Sequence, residues 1–179
     1  MKFIKKLLLA IVLLVVLALI IAVFIPKDMV AEREVTINKP KQEVFNYIKL
    51  LKNQDNYSKW ATMDPAMKKE YRGTDGTVGF VSAWDSESGD VGKGEQEIKK
   101  IDEGKRIDFE LRFLKPMEST AQAYMTTEAI DSSSTKIKWG FSGKMSWPFN
   151  IFRLFMDPEK AVGDDFSTGL NKLKTVLEK

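Results

Sequence analysis

From Leu7 to Ile25 the chain reads LLLAIVLLVVLALIIAVFI, nineteen residues without one polar side chain. At about 1.5 Å of rise per residue, such a run crosses a hydrocarbon core of about 30 Å as a single helix. It is apolar on every face, unlike a core helix of a soluble protein, which keeps a polar stripe. A cleaved secretory signal has a shorter apolar region of about 7–15 residues with small residues at the cut. Here the run ends in Phe24-Ile25-Pro26-Lys27. The sequence therefore predicts an uncleaved transmembrane anchor in residues 1–26 and a globular domain in residues 27–179. Lys2, Lys5 and Lys6 precede the span, whereas Lys27 beyond it is followed at once by Asp28. That Lys/Arg bias predicts a cytoplasmic N-terminus and a domain on the non-cytoplasmic side.

The chain carries 28 Lys plus Arg against 25 Asp plus Glu, and three of those lysines lie ahead of the span, so the domain is formally neutral. Its acids and bases are interleaved, which argues against the clustered basic surface that a nucleic-acid partner needs. There is no cysteine and no histidine. The first absence removes disulfides, thiol nucleophiles and thiolate metal sites. The second removes the most frequent general base and the commonest zinc ligand. No cofactor and no metal site is expected.

Beyond the span, Met29 to Ile37 alternates loosely and ends in Val-Thr-Ile, a first strand. Pro40 is placed to open a short helix whose apolar positions are Val44, Phe45, Ile48 and Leu51. After a polar loop with Tyr57 and Trp60, glycines at 73, 76, 89, 92, 94 and 104 punctuate a strand meander. The expected strands are Lys68–Arg72, Val78–Asp85, Lys93–Ile101, Arg106–Leu114, Thr120–Ile130 and Thr135–Gly143. The clearest alternation sets Ile107, Phe109, Leu111 and Phe113 against Asp108, Glu110 and Arg112. A long C-terminal helix follows, with Asp157 as N-cap and Pro158 at its first position. Val162, Phe166, Gly169, Leu170, Leu173, Val176 and Leu177 fall on one stripe, the face that would cover the sheet.

This order, together with INKPKQEVFNYI at the first helix, Trp60, Gly92 and Gly94 before Gln96 and Ile98, Thr135-Lys-Ile-Lys-Trp139 and the terminal AVGDDFSTGLNKLKTVLE, resembles the START-like (SRPBCC) superfamily, in its polyketide cyclase/dehydrase and lipid-transport branch. The resemblance covers about Val30 to Lys179. It implies an α+β helix-grip fold, a curved antiparallel sheet wrapped around the long C-terminal helix, here preceded by one transmembrane helix. It also implies an apolar cavity between helix and sheet for a lipid or other hydrophobic small molecule. Carried onto this chain, the lining would come from Phe80, Trp84, Phe109, Phe113, Trp139, Phe141 and Phe166. Gly169 joins them, because glycine inside a helix costs about 1 kcal/mol relative to alanine and here lies on the sheet-facing stripe. It either opens space for a ligand or lets Trp139 approach the helix.

Three functions stay open at this level: a membrane-anchored binding module, a cyclase- or dehydratase-like enzyme using carboxylates, and a partner-binding domain whose cavity is filled. The carboxylates in question are Glu95/Glu97, Asp108/Glu110 and Asp164-Asp165. A further open point is WPFNIFRLFMD, Trp147 to Asp157, the most apolar stretch outside the span. It reads either as a plug at one end of the grip or as a gate or lipid-facing surface, and the plug is the expectation.

Overall fold

The apolar run forms one helix, α1 (Lys2–Phe24), in the computed structural model, which describes residues 2–179. It has the length and hydropathy of a membrane span or of a signal sequence. Its side chains point outward except along a line through Leu19, Ala22 and Ile25.

Three residues, Ile25 to Lys27, lead into β1 (Asp28–Ile37). There follow α2 (Lys41–Lys49), two 3-10 segments (Leu51–Asn56 and Trp60–Thr62), β2 (Lys68–Arg72), β3 (Val81–Asp85), β4 (Lys93–Asp102), β5 (Arg106–Lys115), β6 (Ser119–Ala129), β7 (Thr135–Lys144), a third 3-10 segment (Phe149–Leu154) and α3 (Pro158–Leu177). The seven strands make one antiparallel sheet in the order β1-β7-β6-β5-β4-β3-β2. It is a meander from β2 to β7, with β1 paired to the far side of β7. The sheet curves around α3, the helix-grip arrangement expected from the sequence.

Local chemistry explains the ends of the elements. Asp157 caps α3, its Oδ1 accepting from the amide of Lys160 at 2.9 Å, with Pro158 in the first turn. Pro40 stands one place before α2 rather than opening it: its backbone is extended at ψ 144° while its carbonyl accepts from the amides of Glu43 and Val44. The ring fixes only φ, so ψ can turn the carbonyl into the helix without the proline being helical itself. Strand β3 begins at Val81, three residues later than the alternation suggests, after a bend at Gly79 with φ +87°.

The register puts the start of β1, the ends of β3, β5 and β7 and the starts of β4 and β6 at one end of the sheet. This near end adjoins α1. At the far end the interior is filled by Ile37, Val44, Phe45, Ile48, Ile107 and Ile137, all inaccessible to solvent, with Leu170 and Leu173 of α3 above them. Each such side chain is worth about 1.5–3 kcal/mol of burial. Asn38 and Glu178 tie the end of α3 down there, through a 2.6 Å hydrogen bond from the Asn38 amide.

Candidate functional site

Inward-facing residues change size along the strands. On β6 they run Ala121, Ala123, Met125, Thr127 from the near end to the far end; on β7 they run Gly143, Phe141, Trp139, Ile137. The bulky far-end members interlock, and the small near-end ones leave a cavity of about 500 Å³ under the N-terminal half of α3. Met29, Ala121, Ala123 and Gly143 line it from the sheet, Val162 and Phe166 from α3, and Leu51, Gln54 and Ser58 from the segment after α2. Its mouth is bounded by Lys115 to Glu118, Gly89 to Val91 and Lys144 to Phe149.

Five of the eight residues named from sequence stand on this wall: Trp84, Phe113, Trp139, Phe141 and Phe166. Phe80 and Phe109 do not. Both are buried deeper in the core, Phe80 stacked on Tyr71 at 6.1 Å between ring centroids. Gly169 is also absent from the wall. A Cβ there would sit 3.0 Å from Cζ3 of Trp139 and 3.4 Å from the carbonyl oxygen of Tyr57, so the glycine serves close approach of helix and ring rather than open space. Gly94 plays the same part for Trp84, whose ring lies where a side chain would begin.

Sequence reasoning missed the small residues, because Ala121 and Ala123 carry no chemical signal on their own. Their inward register, two and four places from Met125 on the same face, was the available sign. It also missed Gln54, which is nine-tenths buried on the cavity wall with an Nε2 that has no hydrogen-bond partner among the described residues.

The candidate carboxylates named from sequence are all paired with cations, while Asp90 and Glu118 stand at the cavity mouth. Asp55, beside the cavity, accepts from Lys69 Nζ at 2.7 Å and from the Tyr71 hydroxyl at 2.8 Å. Burial, and then this bond to Asp55, push the Tyr71 hydroxyl up to about 12. The Tyr57 hydroxyl is raised by complete burial, its nearest partner being the Met125 sulfur at 3.6 Å. Glu95 and Glu97 project from the opposite face of the sheet, where Arg112 holds them at 2.8 and 2.7 Å and also reaches Glu110 at 2.5 Å. Hydrogen bonds from Arg112 first, and then from Arg72 and Lys99 respectively, keep these two carboxyls below the ordinary carboxylate range. Asp108 bonds Arg106, Asp164 bonds Lys160 and Asp165 bonds Lys59. None of these six carboxylates lines the cavity.

The Trp147–Asp157 stretch does not plug the grip. Phe149 reaches the mouth, but Trp147, Phe152, Leu154 and Phe155 are exposed. The buried member is Asn150, which donates from Nδ2 to the carbonyls of Ala22 at 2.7 Å and Ile25 at 2.9 Å. Its amide satisfies carbonyls that the end of α1 leaves free, and this turns the aromatic rings outward.

Solved structures share this architecture. A Thermobifida fusca protein determined in solution by NMR is 17% identical, with a TM-score of 0.61 over 83% of this chain and 92% of its own. A Chromobacterium violaceum protein determined by X-ray crystallography is 12% identical, with a TM-score of 0.59 over 84% and 97%. Norcoclaurine synthase from Thalictrum flavum, in complex with dopamine and hydroxybenzaldehyde, is 10% identical, with a TM-score of 0.61 over 86% and 88%. At such identities the likeness is one of fold. No curated protein matches the chain in sequence. Residues 29–178, nearly the whole domain, match the family model described as polyketide cyclase / dehydrase and lipid transport, and the chain belongs to that family.

Proposed function

We propose that this chain is a membrane-anchored module that binds a hydrophobic small molecule or a lipid in the near-end cavity without transforming it. The observation that carries the reading is the cavity itself. It is about 500 Å³, open at one end and roofed by α3, where a filled core would have left no such space. Ala121 and Ala123 leave the wall small there. A volume of this size with mostly apolar walls fits a small organic ligand. Gln54 supplies one polar group, suited to a ligand with a single hydrogen-bonding end. The candidate carboxylates are on the other face or in ion pairs, which favours binding over acid/base chemistry. The anchor is α1, with the N-terminus on the cytoplasmic side and the domain, residues 27–179, on the other.

The test is titration of the full chain, held in a lipid nanodisc, with an apolar fluorescent probe. Ala121→Leu and Ala123→Leu extend side chains into the cavity, so probe affinity falls while the thermal transition is kept. Undiminished affinity in both variants, or no binding by the parent, overturns the reading.

A further inference from the structure

The cavity opens at the end of the sheet from which the chain leaves α1, and four observations fix how that end stands to the helix. The connection is only Ile25 to Lys27, which at about 3.5 Å per residue allows roughly 10 Å of separation. Asn150 is bound to the carbonyls of Ala22 and Ile25, and the amide of Met145 bonds the carbonyl of Lys27 at 2.8 Å. Arg153 donates to the carbonyl of Asp28 at 3.1 Å. Finally, Trp147 Nε1 points at the carbonyl of Leu19 at 3.4 Å, a level some five residues, or about 7 Å, short of the end of α1. The segment after β7 therefore runs alongside the last turns of the apolar helix.

That same segment presents Trp147, Phe152, Leu154, Phe155 and Met156 to solvent, Phe155 at 81% exposure. Across the mouth, the turn between β5 and β6 exposes Met117, flanked by Lys115 and Glu118. So many large apolar side chains exposed on one short segment are unusual on a soluble domain, and aromatic rings are favoured at the level of lipid headgroups.

We infer that the mouth of the cavity rests on the bilayer that holds α1, with the Trp147–Met156 segment and Met117 of the β5–β6 turn seated in the lipid interface. An apolar ligand then passes between bilayer and cavity without crossing water. The inference rests on the reading of α1 as an anchor, and it specifies where the bound molecule comes from.

Because the chain has no cysteine, single substitutions give unique labelling sites. The full chain carrying Phe155→Cys, Met117→Cys or, at the distal β6–β7 turn, Ser132→Cys is labelled with an environment-sensitive fluorophore. It is then reconstituted in phosphatidylcholine vesicles with or without brominated acyl chains. Labels at 155 and 117 should shift to the blue and lose intensity with brominated lipid, and the label at 132 should do neither. Labels at 155 and 117 that behave like the one at 132 overturn the inference. Protection of 155 from aqueous iodide without quenching by brominated lipid, as cover by a second copy of the chain would give, also overturns it. Uptake of a pyrene-labelled fatty acid is measured on the same vesicles. Quenching without uptake leaves the docking standing and removes the binding reading; uptake without quenching does the reverse.

Discussion

The indole of Trp139 on β7 lies stacked on the ring of Phe166 on α3, with centroids 4.5 Å apart and planes 17° from parallel. Trp60 meets both rings edge-on, at 6.3 and 5.6 Å. This cluster is the hinge between two environments. Beyond it the helix and sheet are in direct contact through Leu170 and Leu173; before it α3 stays on β1, with Gly163 against Arg33, and the cavity opens between the helix and the β6–β7 side of the sheet.

Phe166→Ala removes the central ring of that cluster. Phe166 is 2% exposed, so the loss of burial together with the space left behind should cost about 3–5 kcal/mol. Urea unfolding of the full chain in a bilayer mimic measures it. A cost near zero would mean that α3 is held by its far half alone.

Gly169→Leu should destabilise rather than stabilise. Leucine is the better helix former by up to about 1 kcal/mol, but its Cβ would start 3.0 Å from Trp139 and 3.4 Å from the carbonyl of Tyr57, and the rest of the side chain has no void to enter. Overpacking of this kind costs about 1–3 kcal/mol, read as a lowered melting temperature. A raised melting temperature would show unfilled space at this position.

Arg112→Met leaves Glu95, Glu97 and Glu110 together on one face of the sheet without their common cation. The parent's Glu95 and Glu97 titrate below their ordinary range, so their contribution is fully present above about pH 4.3 and is lost as pH falls through the lowered values. In the variant the carboxylates repel, and protonation relieves that repulsion and so favours the fold. The deficit against the parent, about 1 kcal/mol at pH 7 for a partly solvated network, should narrow between pH 5 and about 4. Unfolding curves at the two pH values decide this, and a deficit independent of pH would contradict the electrostatic account.

The proposed orientation predicts that protease applied to the non-cytoplasmic side of intact cells digests the domain and leaves a membrane-embedded fragment containing α1. Digestion only in inverted vesicles would reverse the assignment.

Several features were determined by sequence alone because they arise within short windows. The apolar helix α1 follows from nineteen apolar residues in a row, the strands from period-two alternation, and the start of α3 from Asp157-Pro158, each a matter of backbone geometry and local hydrogen bonding. The family resemblance rested on the order of those elements. What only the tertiary structure decided depends on residues far apart in the chain. Phe80 and Phe113 look alike in sequence, yet one is core and the other cavity wall, because the difference lies in whether the neighbours are Ile98 and Tyr71 or the small residues Ser119 and Gly94 beside open space. Gly169 serves contact rather than room because Trp139 arrives above it from a separate strand. The Trp147–Asp157 stretch turned outward because one buried amide, Asn150, found the free carbonyls at the end of α1 some 125 residues away. Apolarity tells that a side chain avoids water; which surface receives it is settled by packing across the whole fold.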